Sequence, residues 1–137
     1  MITLIRLTES QLPQDIQTEL LTTGLKFFTT KNQICYGIRL ADRITGLIAL
    51  GNLTAQSADI SYWLAKSYRG QGYAKKALEL LIERAFSELG LITLHAVIRA
   101  DNQPSLAVVK ANRFKLVLKV GGYNEYVCHR DDWQIKK

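Results

Sequence analysis

Cysteine is scarce in this sequence. Cys35 and Cys128 are the only two, and neither falls in a Cys-x-x-Cys or Cys/His ligand spacing. Neither a metal site nor a disulfide framework is expected, and a reducing cytoplasm is the expected compartment. Long apolar runs are missing too: none approaches the ~18–20 residues that a membrane-spanning helix requires. The N-terminal stretch MITLIRLTES has no basic start followed by a sustained apolar segment, so it does not read as a signal peptide. Proline occurs twice, and there is no internal repeat, no Ser/Pro/Gly-rich linker and no shift in composition. With 47% apolar and 22% charged residues over 137 positions, disorder is excluded and residues 1–137 read as one domain.

What the chain has in excess is positive charge. Eighteen Lys and Arg against twelve Asp and Glu give +6, which favours an anionic partner. Lys110, Arg113, Lys115 and Lys119 cluster near one another, but aromatics do not punctuate the basic stretches, so a nucleic-acid partner is not expected.

Periodicity supplies the elements. ITLIRL (2–7) reads as a strand, and Ser10 to Gly24 as a helix with Pro13 in its first turn and Gly24 as a left-handed stop. Residues 27–33 read as loop. CYGIRL (35–40) and ITGLIALGNL (44–53) flank Ala41-Asp42-Arg43 as a hairpin, and ADISYWLAK (58–66) alternates as a strand. The clearest helix runs from Ala74 to Leu89, with Ala77, Leu78, Leu81, Ile82, Ala85 and Phe86 on one stripe and Gly90 as its end. LITLHAVIR (91–99) is a strand and Pro104 opens a short helix to about Ala111. Strands over 115–120 and 124–130 close the chain across Gly121-Gly122. This order implies an α/β fold, a mixed sheet with helices on its faces.

Between the strand at 58–66 and the long helix lies Ser67-Tyr68-Arg69-Gly70-Gln71-Gly72-Tyr73-Ala74. Glycines one residue apart let the backbone approach a ligand, and the helix aims its unpaired N–H groups and positive dipole end at the loop. Arg69, Lys75 and Lys76 add charge, which together makes a diphosphate cradle. An ordinary strand-to-helix turn is the plain alternative. A dinucleotide fingerprint fails because Lys75 stands where a third Gly or Ala is needed, and no Gly-Lys-Ser/Thr triplet exists for a P-loop.

What fits is Arg-x-x-Gly-x-Ala across 69–74, which resembles the acetyl-coenzyme A loop of the GNAT acetyltransferase superfamily. ISYWL before RGQGYA, the helix ending in AFSELGL, and a strand leading to Asn102-x-x-Ser105 resemble its ribosomal-protein N-acetyltransferase branch, over about residues 44–130. The resemblance implies a largely antiparallel central sheet flanked by helices, and transfer of acetyl from acetyl-CoA to a primary amine. A protein N-terminal α-amine is the leading acceptor and a small amine the next; a non-catalytic CoA-binding sensor or scaffold is the alternative reading. A homodimer is left open, and no membrane partner is expected.

By the same resemblance, the amides of Gln71, Gly72, Tyr73 and Ala74 hold the pyrophosphate, beside Gly70 and Arg69. The backbone of Leu64, Ala65 and Lys66 pairs with the pantetheine arm, and Asn102 bonds it. Ser105 lies near the thioester sulfur. Asn102 reads equally as a helix cap, and Ser105 as a first-turn serine. Asp59 is the candidate general base, acting through water, or else a strand-edge carboxylate facing solvent. Many superfamily members carry a tyrosine acid where this chain has Val109, which leaves Ser105 or Tyr123 for that role. Their Gly-Phe after the last helix is Arg113-Phe114 here, with Asn112 expected to take the left-handed stop. His95 and His129 read as structural, Cys35 and Cys128 lack the partners of a nucleophile, and Tyr62 and Trp63 read as core aromatics or as lining of the acceptor pocket.

Overall fold

A computed structural model of the chain describes residues 1–28 and 32–135. The elements are β1 (Ile2–Arg6), α1 (Gln14–Leu21), β2 (Ile34–Leu40), β3 (Arg43–Gly51), β4 (Ser57–Leu64), α2 (Tyr73–Ser87), β5 (Thr93–Arg99), α3 (Gln103–Ala111), β6 (Lys115–Val120), β7 (Tyr123–His129) and α4 (Arg130–Ile135), with 3-10 turns at Glu9–Gln11 and Lys66–Tyr68.

The strands form one sheet in the order β1-β2-β3-β4-β5-β7-β6. Five of its six pairings are antiparallel and only β4 with β5 is parallel, the two joined through α2. A mixed, largely antiparallel sheet with helices on its faces is what the sequence predicted. The apolar stripe of α2 explains one face: Ala77, Leu78, Leu81, Ile82 and Ala85 are fully buried against Ile38, Ile48, Leu50 and Leu94. The other face carries α1, whose Ile16 and Leu20 pack with Leu47, Ala49 and Trp63. Strand alternation therefore sends Ala58, Ile60 and Leu64 toward α2 and Trp63 toward α1.

Several boundaries differ from the sequence reading. The helix predicted from Ser10 to Gly24 is split: Glu9–Gln11 is a 3-10 turn, Pro13 becomes the N-cap, and α1 ends at Leu21. Its early end follows from Thr22 and Thr23, whose hydroxyls donate to Glu19 O and Leu20 O at 2.7 Å. Such local bonds compete with further helix. Gly24 is left-handed at φ +73, three residues beyond that end. The loop reading of 27–33 falls partly outside the described residues; Phe27 within it is buried against α1. The final strand stops at His129 and turns into α4, six residues too short to show a period. After α3, Arg113 rather than Asn112 takes the left-handed conformation, at φ +69. Asn112 stays at negative φ because its buried side chain is occupied, donating to Lys75 O and Val108 O at 3.1 Å.

One glycine is fixed by crowding. Gly46 on β3 faces β4, and a Cβ there would overlap the Trp63 carbonyl oxygen. Gly46→Ala is expected to destabilise the fold by roughly 2–3 kcal/mol through forced separation of these strands. Urea denaturation measures it; a midpoint equal to that of the unsubstituted chain refutes the close approach.

Candidate functional site: a cleft where two parallel strands part

The parallel strands β4 and β5 pair only at Ser57–Thr93, Ala58–Leu94 and Asp59–His95. Beyond them, β4 runs on to Leu64 and β5 to Arg99 with no further pairing, since β5 continues alongside β7. A cavity of about 550 Å³ opens beside the parted ends. Its walls are the end of β4, the glycine loop with the start of α2, and the first turn of α3. A second cavity of about 330 Å³ lies between α2, α3 and α4, lined by Glu79, Glu83, Arg113 and Trp133.

The glycine loop forms as its sequence requires. Gly70 and Gly72 are left-handed at φ +75 and +83, a region that L side chains rarely occupy. Gly72 is the N-cap of α2 and brings no side-chain cap. A Cβ at either glycine would meet nothing within 4 Å, so open space lies before this backbone. Tyr68 N and Arg69 N are used by the preceding 3-10 turn. Among the described residues, none accepts a hydrogen bond from the amides of Gly70, Gln71, Gly72, Tyr73, Ala74 or Lys75. The first turn of α2 also contains no acid and carries Lys75 and Lys76. That is the reverse of what a helix dipole favours, and it concentrates positive potential at one spot. Lys76 is drawn off by Glu79 at 2.7 Å, while Lys75 lines the cavity.

The backbone of Leu64, Ala65 and Lys66 is less open than the sequence reading expected. Ala65 N donates to Thr45 O at 2.8 Å, Lys66 N to the Glu19 carboxylate at 2.6 Å, and Leu64 O accepts from Arg69 Nε at 2.9 Å. A strand presents alternate peptide groups to opposite edges. Since Ala65 faces β3, the N–H groups of Leu64 and Tyr62 face the side that β5 has left. The free edge thus begins two residues earlier, at Tyr62. Arg69 does lie beside the loop, with one nitrogen committed to β4. Glu19, which ties α1 to this corner, was not foreseen, because no sequence rule links residues so far apart.

Asn102 caps α3: its Oδ1 accepts from Ser105 N at 3.3 Å, the plain alternative of the sequence reading, while its side chain also lines the cavity. Ser105 lines the cavity too and receives the Tyr62 hydroxyl at 2.9 Å. Burial pushes the Tyr62 phenol above its ordinary range, and the bond to Ser105 partly offsets this. Of the two readings of Tyr62, core aromatic or pocket lining, the structure puts its side chain in the cleft lining. Val109, by contrast, is wholly buried and offers no donor.

Asp59 is exposed, is held by Asn52 Nδ2 at 2.7 Å, and does not line the cavity. It stands three residues before Tyr62, roughly 10 Å along the strand, on the opposite face. His95, in register with Asp59, pairs with Glu125 at 3.4 Å, and His129 meets the Thr93 hydroxyl. Both cysteines are buried with thiols raised by desolvation, Cys128 to about 11, so neither is a thiolate at neutral pH.

Asn102→Ala is expected to cost about 1 kcal/mol of stability through loss of the cap. Asn102→Asp, which keeps the acceptor, should lose only a few tenths. Equal losses in the two variants, read by urea denaturation, would rule the cap out.

The comparisons with known proteins converge on one family. The model of the acetyltransferase (GNAT) domain matches residues 5–115. A Bacillus subtilis protein whose name assigns it provisionally to ribosomal N-acetylation, YdaF, is 35% identical over 79 residues, covering 56% of this chain and 43% of that one. The uncharacterised N-acetyltransferase p20 of Bacillus licheniformis is 24% identical over 86 residues, 61% of this chain and 48% of that one. The chain thus spans less than half the length of these curated relatives. Among solved structures, the N-acetyltransferase PseH of Campylobacter jejuni in complex with acetyl coenzyme A superposes with a TM-score of 0.78 at 17% identity, covering 95% of this chain and 99% of that one. A point mutant of the spermidine N-acetyltransferase SpeG of Vibrio cholerae gives a TM-score of 0.84 at 13% identity, with 97% and 96% covered. These two likenesses bear on the fold. With the family model spanning most of its length, this chain belongs to the GNAT acetyltransferase family.

Proposed function

We propose that this protein transfers acetyl from acetyl-CoA to a primary amine by direct attack, with no acetyl-enzyme, and that protein N-terminal α-amines are its leading acceptors. The observation that carries the reading is the run of unpartnered amides from Gly70 to Lys75 at the mouth of the cleft. A helix leaves its first N–H groups without internal acceptors, and a row of them behind two left-handed glycines suits a diphosphate. Arg69 and Lys75 flank it with positive charge. Bound acetyl-CoA supplies an activated thioester, and the elongated cleft along β4 suits an arm laid against the N–H groups of Tyr62 and Leu64.

The rest follows from the lining. An amine attacks only when neutral, and an α-amine has a pKa of ~8 against ~10.4 for lysine. The titratable groups lining the cleft are Tyr62, Arg69, Tyr73 and Lys75, with neither carboxylate nor histidine among them. Such a wall favours the amine whose proton is easiest to remove, with water carrying it away, and Asp59 receives it only at a distance. The provisional name of the YdaF relative points the same way, and small amines are the next class. Whichever of the two β4 amides, Tyr62 or Leu64, the arm leaves unused is the donor for the oxygen that gains charge as nitrogen attacks.

Two measurements test this. Acetyl-CoA at about 100 times its dissociation constant should stabilise the fold by ~2.7 kcal/mol. Gly72→Val, whose Cβ meets nothing in the fold but which strains the left-handed N-cap, should abolish that stabilisation while the variant still unfolds cooperatively. Thiol release should then rise with peptides bearing free N-termini more than with spermidine or Nα-blocked lysine peptides. Binding without turnover on any amine would refute the transferase reading.

A further inference from the structure

Ser105 presents an unusual hydrogen-bond arrangement. A serine hydroxyl has one hydrogen to give and two lone pairs to receive. Ser105 Oγ receives the Tyr62 hydroxyl at 2.9 Å, across 43 residues of sequence. A serine inside a helix commonly turns its hydrogen back to the carbonyl four residues earlier. Among the described residues no such bond is made, and no other group accepts from Ser105 Oγ. Its amide is engaged separately, by Asn102 Oδ1 at 3.3 Å, which fixes the first turn of α3. Among the described residues the hydroxyl hydrogen and the second lone pair of Ser105 Oγ are thus left without a partner, and Ser105 lines the cleft.

We propose that Tyr62 is a positioning residue: by donating to Ser105 Oγ it fills the lone pair on the core side and turns the serine hydrogen into the cleft, toward the sulfur that leaves with CoA. This rests on the acetyl-CoA reading above and names the group that receives the charge when the C–S bond breaks. The direction of the relay is set by burial. Tyr62 sits on the α2 face of β4 beside the main core, where desolvation disfavours its phenolate. It therefore keeps its proton and remains a donor. A CoA thiolate, with a thiol pKa near the ~8.5 of cysteine, is also a weaker base than an ordinary phenolate, and burial raises the Tyr62 phenol further. The pair thus stabilises the departing thiolate by hydrogen bonding and does not protonate it. The nitrogen loses its proton to water as the amide forms, the C–S bond breaks with its electron pair on sulfur, and the thiol is restored from solvent. No net proton is drawn from Tyr62 or Ser105.

The test uses the whole chain with CoA bound, and reads the pH at which the bound thiol ionises by its thiolate absorbance. The proposal expects the bound thiol to ionise below free CoA. Tyr62→Phe and Ser105→Ala should each return it upward by about one unit, and the double variant by no more than either single one. Steady-state kinetics should give about a tenfold lower kcat for Tyr62→Phe, with KM for acetyl-CoA within about twofold. Desulfo-CoA should bind wild type and Tyr62→Phe equally. A Tyr62→Phe variant that binds CoA with the thiol ionising as in the wild type overturns the proposal and leaves the acetyl-CoA reading intact. A wild type that binds no CoA sinks both. A variant that merely loses melting temperature, with thiol ionisation and kcat unchanged, makes Tyr62 structural only.

Discussion

Every feature of the site depends on one constraint: two parallel strands that pair for three residues and then part. A strand edge left without a neighbour must find other partners for its N–H and C=O groups or keep them solvated. In this fold the gap is held open from both sides. The antiparallel partner β3 fixes β4 from one edge, and β7 draws β5 away from the other. The opening is therefore a consequence of how the sheet is paired, and no single loop has to hold it.

Two sources of unpaired donors meet at that opening. The end of β4 supplies strand amides, and the start of α2 supplies helix amides, because a helix cannot satisfy its first N–H groups internally. Left-handed glycines before α2 aim the second set without placing a side chain in the way. The lysines in the first turn of α2 oppose its own dipole, a local conflict that makes sense where an anion completes the electrostatics. Arg69 and Glu19 act differently. Arg69 engages the last carbonyl of β4 and Glu19 the amide two residues past it, so the turn leading to the glycine loop is tied to the sheet and to α1.

Much of this was legible in the chain of letters. The α2 stripe, with its three- and four-residue spacing, determines both the helix and the face it buries. Arg69, Gly72 and Ala74 mark the loop through their Arg-x-x-Gly-x-Ala spacing, since a glycine pair alone reads as well as an ordinary strand-to-helix turn. Asn102 ahead of Pro104 announces a helix start, and the structure makes that cap. The reading faltered where short-range signals compete. Thr22 and Thr23 end α1 before Gly24 by bonding their own turn. Asn112 is held by the backbone of α2, so the left-handed position passes to Arg113.

The sequence by itself determined most of the elements, the buried face of α2 and the glycine loop that opens it, since these follow from periodicity, chirality and the geometry of a helix end. Only the tertiary structure decided which strand groups are free and which side chains share the cleft. Ala65 and Lys66 lose their amides to Thr45 and Glu19, Asp59 is left outside the lining, and Tyr62 meets Ser105. The physical reason is separation along the chain. Hydrogen bonds between residues 20 to 47 positions apart depend on strand order and register, and no local pattern encodes either.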